Sequence, residues 1–266
     1  MRYYFNQSVA KAVAILRCLS ECGGRLSVTE ISRRLGMTRS VAQKIVLTLA
    51  DLEMVDQDAV SKKYGLSRRL LEMAASALNG DPLAREGLRY VRKLVELTDM
   101  TCALGVLDGP EVLYLVSLEA DAPVKATSRA GDRSSVYCTA TGKCLLAFSP
   151  KHVVDGILKD LRLAGYTKNT ITDKRQLKQE LEITKERGYA LNREERVVGL
   201  CGIAAPILAA DGEAAAAISV ACPKGIVGRS TFAKLAEQAV AIAHEFSRVV
   251  QQQPVYPDAR TEGGDA

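Results

Sequence analysis

The sequence has no run approaching about 18 apolar residues, so no membrane-spanning helix is expected. Its first residues, Met1-Arg2-Tyr3-Tyr4-Phe5-Asn6-Gln7, carry neither an apolar core nor a small-residue cleavage site, and do not read as an export signal. A soluble, cytoplasmic protein is the expectation. There are two histidines, His152 and His244, each on a helix-like segment with no nucleophile motif beside it. No phosphate-cradling glycine loop, paired-carboxylate signature or nucleophile elbow is present. These absences speak against an enzyme, and no cofactor is expected. There is no internal repeat, and no low-complexity block beyond the alanine run at 214–217.

The seven cysteines are an odd number without an export signal, which favours reduced thiols over a disulfide framework. Cys18 and Cys22 lie on one helix, but no matching His or Cys pair follows at zinc-finger spacing, so no metal site is expected. Cys102, Cys138, Cys144, Cys201 and Cys222 lie among apolar residues and read as small buried hydrophobes.

What is present is an ordinary globular composition, 47% hydrophobic and 25% charged over 266 residues, with room for one large domain or two ordinary ones. The net charge of +5 is unevenly placed: residues 1–72 hold 12 Lys/Arg against 7 Asp/Glu, and the rest holds 24 of each. Such asymmetry points to a polyanion-binding module joined to a neutral one.

The pattern of that first segment agrees. Val9, Ala12, Val13, Leu16 and Leu19 recur at helical spacing over Ser8–Glu21, and Gly23-Gly24 stops the helix. Ser27-Val28-Thr29-Glu30 is a capping box that starts a second, short helix ending at Gly36. Thr38 is an N-cap for a third, with Ala42, Ile45, Val46 and Leu49 as its apolar stripe. A short helix, a Gly turn and a longer helix make a helix-turn-helix. Two strand-like pieces, Met54–Asp58 and Tyr64–Ser67, flank the basic tip Ser61-Lys62-Lys63 and read as a wing. The third helix presents Ser40, Gln43, Lys44 and Leu47 opposite its stripe, with Arg39 at its start. Arg39, Ser40, Gln43 and Lys44, with Lys62 and Lys63 of the wing, are the candidate contacts to double-stranded DNA, since such groups bond base edges and phosphates.

The expected organisation is a winged helix-turn-helix over 1–67, a linker helix over 68–80, an α+β domain over 81–250 and a mobile tail over 251–266. Within the α+β domain a hairpin is expected from Cys102–Leu107 and Val112–Val116, and another from Gly202–Leu208 and Ala214–Cys222. A further strand is expected at Val124–Ser128, with helices over Thr139–Phe148, Pro150–Leu161, Asp173–Arg187 and Val227–Val250. Antiparallel hairpins flanked by helices commonly hold a small ligand in a cup.

Several spaced blocks resemble the IclR family of bacterial transcriptional regulators, over about residues 7–250. They are Ser8-Val9-Ala10-Lys11-Ala12, Glu30 through Met37, the helix start Ala140-Thr141-Gly142-Lys143-Cys144-Leu145-Leu146-Ala147, and Arg187-Gly188-Tyr189-Ala190 through Glu194-Glu195 and Gly199-Leu200 to Ala204-Ala205-Pro206-Ile207. Ala217-Ile218-Ser219-Val220 completes the set. The resemblance implies a GAF-like effector domain in a homodimer or homotetramer that binds a palindromic operator, as repressor or activator, and answers to a small organic or aromatic carboxylate. It also implies effector contacts at the backbone of Ala140 and Thr141 and at Asn192, Gly202, Ser219 and Ala221. Relatives that bind glyoxylate-sized acids commonly carry Asp, Cys, Ser and Ser at the last four positions. This chain keeps only Ser219, which implies a roomier, less polar pocket. Ser40-Val41 stands where the family often has Ser-Thr, so the operator is expected to differ as well. Two other functions stay open on the residues alone: a thiol redox sensor on the same DNA-binding frame, and a small-molecule enzyme with a helical N-terminal module.

Overall fold

The computed structural model describes residues 5–121, 125–226 and 229–252. The chain divides into two compact units, Met1–Leu78 and Asn79–Ala266.

The first unit holds α1 (Gln7–Cys22), α2 (Val28–Leu35), α3 (Arg39–Asp51) and the strands β1 (Val55–Gln57) and β2 (Tyr64–Leu66). Asn6 caps α1 through its side chain, and the capping box of Ser27 and Glu30 is fully formed on α2. Gly36 ends α2 at φ 62°, a left-handed conformation that glycine adopts at little cost, and Thr38 caps α3 two residues later. The turn is therefore set by its own residues. Ile15, Leu19, Ile31, Ala42, Val46, Leu49, Val55 and Tyr64 are buried together beneath it. β1 and β2 pair antiparallel, and Leu26 exchanges two backbone hydrogen bonds of 2.8 Å with Tyr64, which ties the wing to the loop before α2. The helix α4 (Arg69–Gly80) follows and has no buried residue.

The second unit is built on a six-stranded antiparallel sheet in the order β5-β4-β3-β8-β7-β6. Its strands are β3 (Thr101–Asp108), β4 (Glu111–Leu118), β5 (Arg133–Ser135), β6 (Ala190–Arg193), β7 (Leu200–Leu208) and β8 (Ala214–Pro223). Side chains alternate between the faces. One face, with Leu104, Ile203, Ala205, Ile207, Ile218 and Val220, packs on α5 (Pro82–Thr98) and α9 (Arg229–Gln252), where Tyr90 and Phe246 stack at 4.5 Å. The other face, with Val112, Ala190, Ala204 and Ala217, packs on α6 (Ala140–Ala147). The helices α7 (Lys151–Asp160) and α8 (Lys174–Arg187) lie on that side too, contributing Leu158, Leu177 and Leu181.

The two hairpins and the helices form where expected. The strand expected at Val124–Ser128 does not: residues 125–128 form no strand, and Val124 lies outside the described residues. Side chains rather than a ladder hold that segment, since Thr101 Oγ1 donates to Ala126 O (2.8 Å) and Ser117 Oγ to Ser128 O (2.9 Å). The edge strands are β5 and β6 instead, too short at three and four residues for a legible alternation. The start of the last expected helix, at Val227 and Gly228, lies outside the described residues, as do 253–266 of the expected tail, while Gln251 and Gln252 are helical.

Candidate functional site

Two sets of residues stand out, one in each unit. On α3, Arg39, Ser40, Gln43, Lys44 and Leu47 are all exposed. The face arises because Ala42, Val46 and Leu49 are the buried positions, so the residues between them point outward. Among the described residues the side chains of Arg39 and Lys44 have no hydrogen-bond or ion-pair partner, so both charges are available. The wing is less uniform. Lys62 stands at φ 54° at the tip, where Gln57 Nε2 donates to its carbonyl (3.0 Å), and its ammonium is exposed. Lys63 instead forms an ion pair with Glu30 at 3.4 Å, its side chain remaining partly exposed. Arg25 is likewise committed, to Asp56 at 2.5 Å. Arg33 and Arg34 at the end of α2 are further exposed basic groups in this unit.

In the second unit the centre is the start of α6. Thr139 is its N-cap, its Oγ1 accepting from Gly142 N (3.1 Å) and its carbonyl from Lys143 N (3.1 Å). That leaves the amides of Ala140 and Thr141 as the two first-turn donors without a partner among the described residues. Both residues are buried, at 5% and 2% exposure. Buried backbone donors are almost always satisfied, and a helix start is a place where an anion can supply the missing partner.

The sheet face beneath is made by alternation from Thr101, Ala103, Gly202, Ser219 and Ala221, in the pairs Thr101–Ala221, Ala103–Ser219 and Gly202–Ala221. Gly202 also pairs with Asn192 of β6, and a methyl built on it would lie 3.5 Å from Ala140 Cβ and 3.7 Å from Asn192 Cβ. Ala140, Gly202 and Asn192 are thus neighbours, with Ala221 beside Gly202. Space at Gly202 amounts to about one methyl group before Ala140 is touched. Ser219 Oγ donates to Ala103 O (3.3 Å), so its hydroxyl is already engaged. Asn192 is engaged at both ends: Nδ2 donates to Cys138 O (3.2 Å), and Oδ1 accepts from Glu195 N (2.9 Å). Tyr114, which carried no sequence signal, reaches Thr141 Oγ1 with its hydroxyl at 3.5 Å.

The cysteines sit mostly in the core. Burial pushes the Cys102 and Cys222 thiols up to about 12 and Cys138 to about 11, and raises that of Cys144 as well. A thiol so protonated offers little thiolate to an oxidant near neutral pH. Cys201 is only half-buried, its thiol raised by desolvation and by Glu194. His152 and His244 are exposed. No described helix is long and apolar enough to cross a membrane.

Comparison with known proteins bears on both units. Residues 8–59 match the family model described as the IclR helix-turn-helix domain, and residues 75–248 match that of the bacterial transcriptional regulator IclR C-terminal domain. The HTH-type transcriptional regulator KdgR of Escherichia coli is 33% identical over 251 residues, covering 94% of each chain. The crystal structure of the Thermotoga maritima IclR covers 91% of this chain and 98% of its own, at 29% identity and a TM-score of 0.76. An IclR homolog from Microbacterium hydrocarbonoxydans, complexed with 4-hydroxybenzoate, covers 91% of this chain and 100% of its own, at 25% identity and a TM-score of 0.77.

Proposed function

The chain belongs to the IclR family of bacterial transcriptional regulators, DNA-binding proteins and not enzymes, and from that premise we propose that it switches a catabolic operon in response to a small carboxylate. The observation that carries the effector half is the pair of buried, unpartnered amides at Ala140 and Thr141. They supply two donors and the positive end of a helix to an anion without a charged side chain. Beside them lie Gly202 and Ala221, which offer no polar side-chain atom, and Ser219 and Asn192, whose polar atoms are engaged within the chain. That favours an acid with an apolar body over one as polar as glyoxylate, although the space at Gly202 is no larger than about a methyl group. The 4-hydroxybenzoate in the Microbacterium relative is of this kind.

The DNA half rests on the free Arg39 and Lys44 beside Ser40 and Gln43, with Lys62 at the wing tip. Lys63, held by Glu30, is a poorer contact than its sequence position suggested. One winged helix covers a half-site, so a palindromic operator needs two copies. The exposed Leu71, Met73 and Leu78 of α4, none of whose residues is buried among the described residues, suit pairing with a second copy. Such a regulator works in the cytoplasm.

Ala140→Pro tests the effector half. Ala140 is the first residue of α6 and Thr139 before it is extended (φ −126°, ψ 150°), so proline fits the backbone and deletes one amide donor. The variant is expected to bind operator DNA as the wild type does while losing its response to the carboxylate, with its melting curve retained. A full response in a folded Ala140→Pro protein would place the effector elsewhere.

A further inference from the structure

Asn192 and Glu195 lie on one tight turn at the end of β6, and that turn grips α6 on both sides of the two free amides. Before them, Asn192 Nδ2 donates to Cys138 O at 3.2 Å. After them, Lys143 Nζ donates to Glu195 Oε1 at 2.6 Å. The two grips are joined, because Glu195 N donates to Asn192 Oδ1 at 2.9 Å and Arg193 N donates to Glu195 Oε1 at 3.3 Å. Cys138, the first turn of α6, Lys143, Glu195 and Asn192 therefore close a ring around Ala140 and Thr141.

The ion pair in that ring is deeply buried, the side chains of Lys143 and Glu195 being 1% and 7% exposed. Glu180 approaches Lys143 from α8 at 3.4 Å, and Glu195 Oε2 is buried without a hydrogen-bond partner among the described residues. A buried pair with an unsatisfied oxygen is a poor way to gain stability, since desolvation offsets most of the attraction. It is a good way to fix position. Neither side chain heads for the sheet face below the amides: both line a cleft of about 560 Å³ with Glu180, Arg187 and Arg193 on the α8 side.

We infer that Lys143 and Glu195, strung through Asn192, are positioning residues for the effector. They hold the Ala140 and Thr141 amides at the spacing a carboxylate requires, without touching it. Asn192 takes the same role in place of a direct ligand contact. This inference rests on the amide site proposed above, and its test separates the two.

Isothermal titration of the full chain with benzoate and with 4-hydroxybenzoate is combined with hydrogen exchange across α6 and α9. Lys143→Met and Glu195→Gln are each expected to weaken binding about tenfold, the size of one lost charge-assisted hydrogen bond. Both should speed exchange over residues 139–143 while α9 exchanges as before, whereas a merely structural role would loosen the whole unit. If neither acid binds the wild type, or Ala140→Pro binds it unchanged, the amide site is wrong and the effector inference falls with it; exchange then still reports whether the ring holds α6. If Ala140→Pro loses binding but Lys143→Met and Glu195→Gln keep wild-type affinity, or loosen α9 as much as α6, the positioning role is overturned.

Discussion

Two glycines beside the α6 amides make opposite demands. A methyl on Gly142 would lie 2.3 Å from Val136 O and 2.4 Å from Val136 Cα, and backbone cannot give way as a flexible side chain can. Gly142→Ala is therefore expected to push α6 off the 133–137 segment and to destabilise the unit by about 1–3 kcal/mol. A methyl on Gly202 meets only ordinary contacts at 3.5–3.7 Å, and Gly202 is not among the positive-φ glycines. Gly202→Ala should be neutral or stabilising, by up to about 1 kcal/mol through the unfolded chain. Thermal melts of the two variants check this, and a reversed order would contradict the placement of α6. The sequence named both ends of this site but not what joins them. Ala140 and Gly202 could be carried over from family motifs, whereas Lys143 and Glu195 are 52 residues apart and meet only in the fold. A separation of 54 residues likewise hid the engagement of Asn192 with Cys138, so that its carboxamide looks free in the sequence.

Among the elements, those closed by local chemistry were legible and those closed by distant partners were not. The helices α1 to α3 announce themselves through caps, a capping box and glycine stops, each within four residues. The strands β5 and β6 exist because β4 and β7 lie alongside them, and their few residues carry no period of their own. The 125–128 segment looked like a strand, but its carbonyls at Ala126 and Ser128 are taken by the hydroxyls of Thr101 and Ser117. The cap of α2 has a measurable consequence. The Ser27 backbone N–H, then its hydroxyl, hold the Glu30 carboxyl down to about 2 from a usual 4.5. A carboxyl whose value is lowered on folding contributes stability above its unfolded value and loses it as the pH falls towards its folded one. The first unit should therefore lose stability between about pH 4.5 and 2. Glu30→Gln, which keeps an acceptor for Ser27 N–H but cannot ionise, should flatten that dependence. Urea melts of both proteins across this range are the check, and an identical acid dependence would remove Glu30 from the explanation.

Across the whole chain, the charge asymmetry of the sequence matches the division into two units, since the basic excess lies in the helix-turn-helix and wing and the neutral remainder forms the sheet unit. Pairing of copies is expected to be constitutive, because one copy supplies one recognition helix. Sedimentation at micromolar concentration should show no dominant species near 28.7 kDa, and a monomer that binds a palindrome tightly would contradict it. The decisive test of the regulator itself is a salt titration of binding to DNA from upstream of its own gene, for the wild type, Arg39→Ala and Lys44→Ala. A residue that holds a phosphate should, when removed, lower the salt slope by about one unit per copy; one that reads a base should weaken binding by about 1–3 kcal/mol at that site only. Arg39→Ala and Lys44→Ala are each expected to follow one of these two courses. Wild-type affinity and slope in both variants would contradict the assignment of α3 as the element that reads DNA.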